Sequence, residues 1–312
     1  MIRVNNLVKQ YGSFTAVNNI SFEVSKGAIF GFVGPNGAGK TTTMRIMATL
    51  LTATSGTIAI ANRPVSRNPR EMRKLIGYMP DFFGVYDDLR VSEYLEFYGE
   101  ASGCNLAQVR SAIPSLLELV GLEEKRSHFV NNLSRGMKQR LCLARTLVHQ
   151  PEVLILDEPA SGLDPRARVE LRNILKELQR MGKTIVISSH ILAELAQLCT
   201  HVGIITNGVM PVCGPISEIL AQVSGEALLE VTVLEDAEGA RIWLLEQQGV
   251  REVHQTNTGA LEVFFEGDKQ AQASLLRAVA GRYMVASFIP RTSNLEEVFM
   301  QLTEVTGSAD TN

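Results

Sequence analysis

Apolar residues follow two patterns along the first 205 positions, and the two patterns alternate. Short continuous or alternating runs favour β-strands, whereas apolar residues that recur every three or four positions favour helices. The predicted strands cover 2–8, 20–24, 28–33, 57–60, 75–79, 153–156, 184–188 and 202–205. The predicted helices cover about 40–51, 70–74, 106–120, 137–148 and 166–181. This alternation is typical of an α/β protein with a mainly parallel sheet between helices.

The pattern changes after residues 211–224, which we interpret as a connection. Beyond it, the predicted order is strand, helix, strand, strand, helix, strand, over 228–234, 237–248, 250–256, 260–265, 269–281 and 283–289. That order predicts a small α+β domain of the ferredoxin-like type. A last amphipathic helix is predicted around 295–302, and residues 306–312 are predicted to be disordered. Because this region shows no titratable cluster or glycine-rich loop, we interpret it as a regulatory, partner-binding or dimer-stabilising unit, with simple packing as the alternative.

The composition of the 312 residues excludes several classes of protein. A formal net charge of −3 disfavours nucleic acid as the main ligand. The four cysteines form no Cys-x-x-Cys pair, so neither a disulfide framework nor a zinc site is expected, and a reducing cytosol fits best. No segment resembles a signal peptide, and no apolar run approaches the roughly 18 residues needed to span a bilayer. If the protein acts at a membrane, we expect another chain to cross it.

The motif Gly-x4-Gly-Lys-Thr lies between a predicted strand and a predicted helix. Its glycines permit positive φ, so that successive N–H groups face one concavity that accepts phosphate oxygens. Lys40 and the start of the helix add positive charge, and the Thr41 hydroxyl suits a magnesium ion bound to the phosphates. The predicted phosphate site comprises Gly34, Pro35, Asn36, Gly37, Ala38, Gly39, Lys40, Thr41 and Thr42.

Two further polar signals stand at the ends of apolar strands. Asp157 and Glu158 follow the run 153–156, and His190 follows 184–188. Ligands of parallel sheets bind at the carboxyl ends of the strands, so we expect both signals to meet the phosphate loop. Asp157 would then bind magnesium, and Glu158 would orient or deprotonate an attacking water. Adjacent carboxylates also occur in solvated loops, and a lone histidine is often structural.

Two other features have two interpretations each from the residues alone, and a third is a helix cap. Six aromatic residues fall within seventeen positions, and they form either core or a groove for a partner's helix: Phe82, Phe83, Tyr86, Tyr94, Phe97 and Tyr98. Tyr11 is either a hairpin tyrosine or a platform on which a purine stacks. Ser134 is placed to cap the helix that follows it.

Taken in order and at these spacings, the motifs resemble the nucleotide-binding subunit of an ABC transporter. The resemblance covers about residues 1–220 and implies a P-loop NTPase core, an antiparallel β subdomain and a helical subdomain at about 82–150. Residues 225–305 would form the accessory α+β domain. It also implies ATP and Mg²⁺ as cofactors, adenine stacking on Tyr11, and a hydrogen bond from His190 to the γ-phosphate.

The segment Ser134-Arg135-Gly136-Met137 resembles part of the family signature Leu-Ser-Gly-Gly-Gln, with Arg135 in place of a glycine and Met137 in place of the glutamine. In the family this segment contacts the γ-phosphate of the opposite subunit. Ser134 and Gly136 retain the hydroxyl and the backbone N–H that donate to this phosphate. The resemblance therefore implies a head-to-tail dimer, with Asp164 crossing the interface. Asp81 stands where the family has a glutamine, and an aspartate there is able to ligand magnesium but not to donate an amide hydrogen bond.

The resemblance implies an ATPase subunit, on the cytoplasmic face of the membrane, that pairs with a second nucleotide-binding subunit and drives a separate permease. The residues Asn294 to Phe299 resemble the ending of ATPase subunits of drug, polysaccharide and lipid exporters, and the aromatic segment corresponds to the permease-binding groove. Two alternatives are an ABC-type ATPase that acts on nucleic acid or the ribosome, and a weakly hydrolysing regulatory module. The absence of a long coiled-coil insertion or a tandem second domain argues against the first.

Overall fold

The computed structural model describes residues 1–82, 84, 86–190, 195–216, 218–219, 227–256 and 259–291. The chain divides into two compact units, Met1–Ile216 and Ser217–Asn312. None of the helices in these described ranges combines the length and the apolar character that crossing a bilayer requires. The predicted helix around 295–302 and the predicted disordered tail lie outside the described residues.

The first unit contains ten strands and six α-helices among its described residues. The strands are β1 (Ile2–Tyr11), β2 (Phe14–Val24), β3 (Ile29–Val33), β4 (Ser55–Ile60), β5 (Arg63–Pro64), β6 (Ile76–Met79), β7 (Val153–Leu156), β8 (Thr184–Ser189), β9 (His201–Thr206) and β10 (Val209–Pro215). The helices are α1 (Lys40–Met47), α2 (Pro69–Leu75), α3 (Val91–Ala101), α4 (Leu106–Leu119), α5 (Arg135–Leu147) and α6 (Pro165–Arg180).

The main sheet has six strands in the order β10-β9-β3-β8-β7-β6. All neighbours from β9 to β6 are parallel, whereas β10 pairs antiparallel with β9. The residues of β3, β7 and β8 are all buried, as expected for strands covered on both faces. Since these three strands run in the same direction, the residues that follow them emerge at one edge of the sheet.

A second, antiparallel sheet in the order β2-β1-β4-β5 packs on the strand that leads to the phosphate loop. Phe22 of β2 stacks on Phe30 of β3 with ring centroids 5.0 Å apart, and it meets Phe32 edge-on at 5.1 Å. Aromatic pairs of this kind stabilise by about 0.5–1.5 kcal/mol each beyond their buried area. The aromatic contacts therefore hold β3, and the loop after it, against the second sheet.

The helices α3, α4 and α5 form the helical part of this unit, and they divide the aromatic cluster. Tyr94 is fully buried, and its hydroxyl lies 3.1 Å from Nη1 of Arg145. Tyr86 and Phe97 contact each other edge-on at 5.3 Å but are 52% and 45% exposed. The prediction of core is thus confirmed for Tyr94, whereas the partner groove stays a prediction for the exposed members of the set. Phe83 lies outside the described residues.

Among its described residues, the second unit contains four strands and two helices in the order predicted. They are β11 (Ala227–Val233), α7 (Ala237–Leu245), β12 (Val250–Gln255), β13 (Leu261–Phe265), α8 (Lys269–Ala280) and β14 (Val285–Arg291). Its sheet has the order β12-β13-β11-β14, and every neighbouring pair is antiparallel. In this split βαβ arrangement, Leu229, Val231 and Val263 pack under the helices in a separate core.

The structure corrects three of the predicted boundaries. The segment 211–224 is not wholly a connection, because Val209–Pro215 forms strand β10, an edge strand on which Pro211 is tolerated. The strands β1 and β2 continue to Tyr11 and from Phe14, so Tyr11 ends a strand instead of lying in a loop. Helix α1 ends at Met47 rather than near 51, because Thr49 adopts a positive φ of 61°.

Candidate nucleotide-binding site

The loop between β3 and α1 requires glycine for backbone reasons. Gly39 has φ 109° and stands at the N-cap of α1, where a Cβ would lie 2.5 Å from the carbonyl oxygen of Ala16. Gly37 also has a positive φ, of 83°, but open space around it. A Cβ at Gly34 would collide with the carbonyl of Ile205. Gly37 and Gly39 have positive φ, and a Cβ at Gly34 or Gly39 would collide with neighbouring backbone. The loop therefore requires glycine at these positions.

The Lys40 side chain lies across this loop and is almost fully buried, with 5% exposure. Its Nζ donates hydrogen bonds to the carbonyls of Gly34 at 2.5 Å and Pro35 at 3.2 Å. The same atom lies 3.6 Å from Oε1 of Glu158. A buried ammonium is stable only with such partners, so an incoming phosphate must offer oxygens that replace them.

The acidic pair emerges from β7 with one residue buried and the other facing the loop. Asp157 is 1% exposed, and Glu158 has a positive φ of 47°. Ser188 of β8 joins the two: its hydroxyl donates to Oδ1 of Asp157 at 2.7 Å and accepts the backbone N–H of Glu158 at 2.8 Å. Sequence reasoning missed Ser188, although a serine inside an apolar strand, two positions before His190, was an available signal.

Burial raises the pKa of the Asp157 carboxyl, and the hydroxyls of Ser188 and Thr41 partly oppose that shift. The negative charges of Asp81 and Glu158 also raise the pKa of Asp157. In addition, Oδ2 of Asp157 and Oε1 of Glu158 are buried without a hydrogen-bond partner. A cation beside these oxygens would complete their coordination and favour the charged carboxylates, so this donor set fits a hard metal ion.

A metal ion here would depend on ligands from outside the chain. Within the described ranges, no group of three or more His, Cys, Asp or Glu residues is arranged to hold a metal. One buried carboxylate and one threonine hydroxyl leave most positions of an octahedral shell to phosphate oxygens and water. That is the usual arrangement for Mg²⁺ bound together with a nucleotide.

His190 completes the polar edge of the sheet. Its Nδ1 lies 2.9 Å from Oε2 of Glu158, and its ring is half exposed. Glu158 therefore contacts Lys40 with one carboxylate oxygen and His190 with the other. The phosphate loop, the acidic pair and His190, which lie far apart along the chain, meet at one place.

A cavity of about 300 Å³ opens beside these groups. Its lining comprises Tyr11, Phe14, Ala16, Pro35, Asn36, Gly37, Ala38, Gly39, Lys40, Thr41, Thr42, Asp81 and Glu158. Tyr11 and Phe14 pair across the β1–β2 hairpin, and both rings are largely exposed. Phe14 was not predicted, and it gives the mouth of the cavity a second aromatic face suited to a planar base.

Five predicted ligands of the nucleotide are not part of this lining: Gly34 and His190, which contact the lining residues Lys40 and Glu158, and Ser134, Gly136 and Asp164, which lie elsewhere. Ser134 caps α5, with its Oγ accepting the N–H of Met137 at 3.3 Å. Asp164 caps α6, with its Oδ1 accepting the N–H of Ala167 at 2.9 Å. Gly136 packs so closely on α6 that a Cβ there would lie 3.3 Å from the Cβ of Ala167. Ser134 and Asp164 are exposed, so these residues form a second surface of the same unit.

Comparison with known proteins finds relatives that match nearly the whole chain. Residues 17–161 match the family described as ABC transporter, and residues 214–303 match the C-terminal domain of DrrA1-3-like ATP-binding proteins. The chain is 35% identical to the Nod factor export ATP-binding protein I of Cupriavidus metallidurans, covering 97% of each chain. It is 31% identical to the linearmycin resistance ATP-binding protein LnrL of Bacillus subtilis, covering 97% of this chain and 98% of that protein.

Among solved structures, an ATP-binding subunit of an ABC transporter matches with a TM-score of 0.65 and 30% identity, over 72% of this chain and 93% of that chain. A second match, cbiO1 of Clostridium perfringens, which is part of the ABC transporter complex cbiONQ, has a TM-score of 0.64 and 28% identity over 71% and 91%. The structure assembles a phosphate loop, an acidic pair and a histidine at one sheet edge, and curated relatives at least 31% identical match nearly the whole chain. The chain therefore belongs to the ATP-binding subunits of ABC transporters and is an ATPase.

Proposed function

We propose that this chain hydrolyses ATP to ADP and phosphate in order to drive an export permease carried on a separate membrane protein. Two relatives that match it over almost their whole length are named for Nod factor export and for resistance to linearmycin. The chain would then act on the cytoplasmic face of the membrane, bound through its permease. Contacts with the transported substrate would lie in the permease.

The observation that carries the proposal is the position of the Glu158 carboxylate, between the Lys40 ammonium at 3.6 Å and His190 at 2.9 Å. Lys40 and the loop amides would hold the phosphates. Glu158 would orient the attacking water and accept its proton, and His190 would donate a hydrogen bond to the γ-phosphate. When the phosphates displace Glu158 from Lys40, the carboxylate becomes free to bind that water.

Thr41 and Asp157 would hold Mg²⁺, and the orphaned Oδ2 of Asp157 supports this assignment. Asp81 also lines this cavity and would contribute an oxygen to the ion directly or through water. The bound ion supplies positive charge that offsets the charge on the phosphates. Tyr11 would stack on the adenine, and Phe14 would extend that aromatic surface.

The second surface, around Ser134, Gly136 and Asp164, would contact the nucleotide of another subunit. Its exposed caps leave the N-terminal end of α5 open to an anion, and one chain does not bring them to its own cavity. Two copies arranged head to tail would place each second surface over the other copy's phosphate loop. We expect a homodimer with two ATP molecules at the interface, closed by ATP and opened by hydrolysis.

Glu158→Gln tests this function because it removes the proton acceptor and keeps the shape of the side chain. The variant should bind Mg²⁺-ATP, lose at least about 100-fold in turnover, and accumulate as an ATP-dependent dimer in light scattering. Glu177→Gln on α6, an exposed carboxylate paired with Arg180, is the matched control. Turnover in Glu158→Gln equal to that of the control would remove Glu158 from its proposed role.

A further inference from the structure

Arg135 occupies a position where the family signature has a glycine, and its side chain is engaged within its own chain. It is the first residue of α5, directly after the cap Ser134. Its Nη2 donates a hydrogen bond to the carbonyl of Ser161 at 3.3 Å. The guanidinium thus reaches from the signature segment to the turn that leads into Asp164.

Gly162 leaves the space that this guanidinium fills. A Cβ at position 162 would lie 2.6 Å from Nη1 of Arg135 and nearer still to the other guanidinium atoms. The same residue has a positive φ of 66°, which an L side chain rarely adopts. The positive φ favours glycine at position 162, and the absence of a side chain there leaves the room that the Arg135 guanidinium occupies.

The contact belongs to a longer junction between α5 and the segment 159–167. Next to Arg135, Gly136 packs closely on α6, where an added Cβ would lie 3.3 Å from the Cβ of Ala167. One turn further along α5, the buried Nε2 of Gln139 donates to the carbonyl of Pro159 at 2.6 Å. Because Pro159 follows Glu158 directly, the segment is held by α5 from the catalytic carboxylate to the cap of α6.

We propose that Arg135 is a positioning residue that holds Ser134 and Asp164 in one fixed arrangement, ready for contact with a nucleotide-loaded second subunit. This inference rests on the proposed ATP-dependent dimer. A glycine at 135 has no side chain that reaches Ser161, so the two caps would keep more freedom and lose it only on association. Residues that are already ordered before binding lose less conformational entropy when the subunits associate, and Arg135 supplies that order for the two caps.

The decisive experiment measures dimerisation of the Glu158→Gln protein by Mg²⁺-ATP in light scattering, with and without Arg135→Ala. Loss of one hydrogen bond with its packing should raise the dimer dissociation constant about 3- to 10-fold. Binding of a fluorescent ATP analogue to the single chain should not change, because Arg135 does not line the cavity. Arg180→Ala, at the far end of α6 and 75% exposed, is the matched control.

A double-mutant cycle identifies the contact itself. Gly162→Ala should weaken dimerisation on its own, because the new Cβ displaces the guanidinium. With Arg135→Ala already present, it should weaken dimerisation by a clearly smaller factor. If Gly162→Ala does not fold, Arg135→Ala and the partly rescuing Arg135→Lys, which retains one donor for Ser161, decide the question.

The outcomes separate the inference from the proposed function. If Glu158→Gln alone forms no dimer with Mg²⁺-ATP, the proposed ATP-dependent dimer is wrong, and the inference falls with it. If that protein dimerises and Arg135→Ala dimerises equally well, the inference alone is overturned. A lower melting temperature in Arg135→Ala with an unchanged dissociation constant would likewise overturn it, since that result describes a purely structural residue.

Discussion

Removing the Ser188 hydroxyl should impair the site, although Ser188 itself is assigned to neither nucleotide nor metal. The hydroxyl is fully buried and makes two hydrogen bonds, at 2.7 Å to the Asp157 carboxylate and at 2.8 Å from the Glu158 N–H. In Ser188→Ala, the carboxylate loses a donor, and the N–H loses its acceptor. The left-handed backbone at Glu158 then loses a direct restraint.

The magnitude follows from these two bonds. A hydrogen bond to a charged group contributes about 1.5–3 kcal/mol, and a buried donor left without a partner costs about 1–3 kcal/mol. Allowing for relaxation and for entry of a water molecule, we expect the free energy of unfolding to fall by about 2–4 kcal/mol. A carboxylate displaced by about 1 Å should lower kcat about 10- to 100-fold. KM for ATP should change little, because the contacts of Lys40 and the phosphate loop remain.

The assay combines urea unfolding, followed by circular dichroism, with steady-state ATP hydrolysis. Thr146→Val is the matched control: its buried hydroxyl donates to the Cys142 carbonyl in the same helix and touches no charged group. The control should lose about 1 kcal/mol of stability and no turnover. If Ser188→Ala loses as little stability as the control and keeps its kcat, Ser188 does not position the acidic pair.

Three further predictions concern other parts of the first unit. Lys40→Ala should abolish binding of Mg²⁺-ATP in a fluorescent-nucleotide titration, because Lys40 is the only side-chain cation among the described residues that line the cavity. Equal binding and hydrolysis in this variant would refute the whole assignment of the site. Phe97→Ser should keep the basal ATPase rate but lose stimulation by the permease. Met181→Ser, which changes an even more exposed apolar residue at the end of α6, should keep both. Stimulation that survives in Phe97→Ser would place the permease elsewhere. Burial lowers the pKa of His149, whose Nε2 lies 3.0 Å from the carbonyl of Ile76. The stability that neutral His149 contributes is therefore complete above the unfolded pKa of about 6.5, and it is lost as pH falls through that value toward the folded pKa. His149→Gln keeps a donor for Ile76 without the titration, so its urea midpoint should fall less between pH 7 and pH 5.5 than that of the native chain; parallel midpoints would refute this account.

Predictions from the sequence succeeded where one local pattern carried the information. Strands such as β7 and β8 are buried on both faces, so each is a continuous apolar run that needs no partner to be identified. The phosphate loop is specified by glycines that the backbone itself requires. Ser134 caps α5 as predicted, because capping involves residues only three positions apart.

Predictions failed where a feature depends on a neighbour distant in sequence. Strand β10 exists because it pairs with β9, and its own prolines and half-exposed residues do not favour a strand. Ser188 joins Asp157 and Glu158 across about 30 positions, and Arg135 meets Gly162 across 27. The division of the aromatic cluster into buried Tyr94 and exposed Phe97 likewise follows from how α3 packs on its neighbours.

The amino-acid sequence by itself determined the class of fold, the phosphate loop and the order of the elements, because each of these depends on hydrophobic spacing or on backbone freedom within a few residues. Only the tertiary structure decided that Glu158 is shared by Lys40 and His190, that Ser188 connects the acidic pair, and that Arg135 fills the space above Gly162. These contacts join residues on different strands and helices. Their geometry exists only after the parallel strands pack side by side and bring their carboxyl ends together.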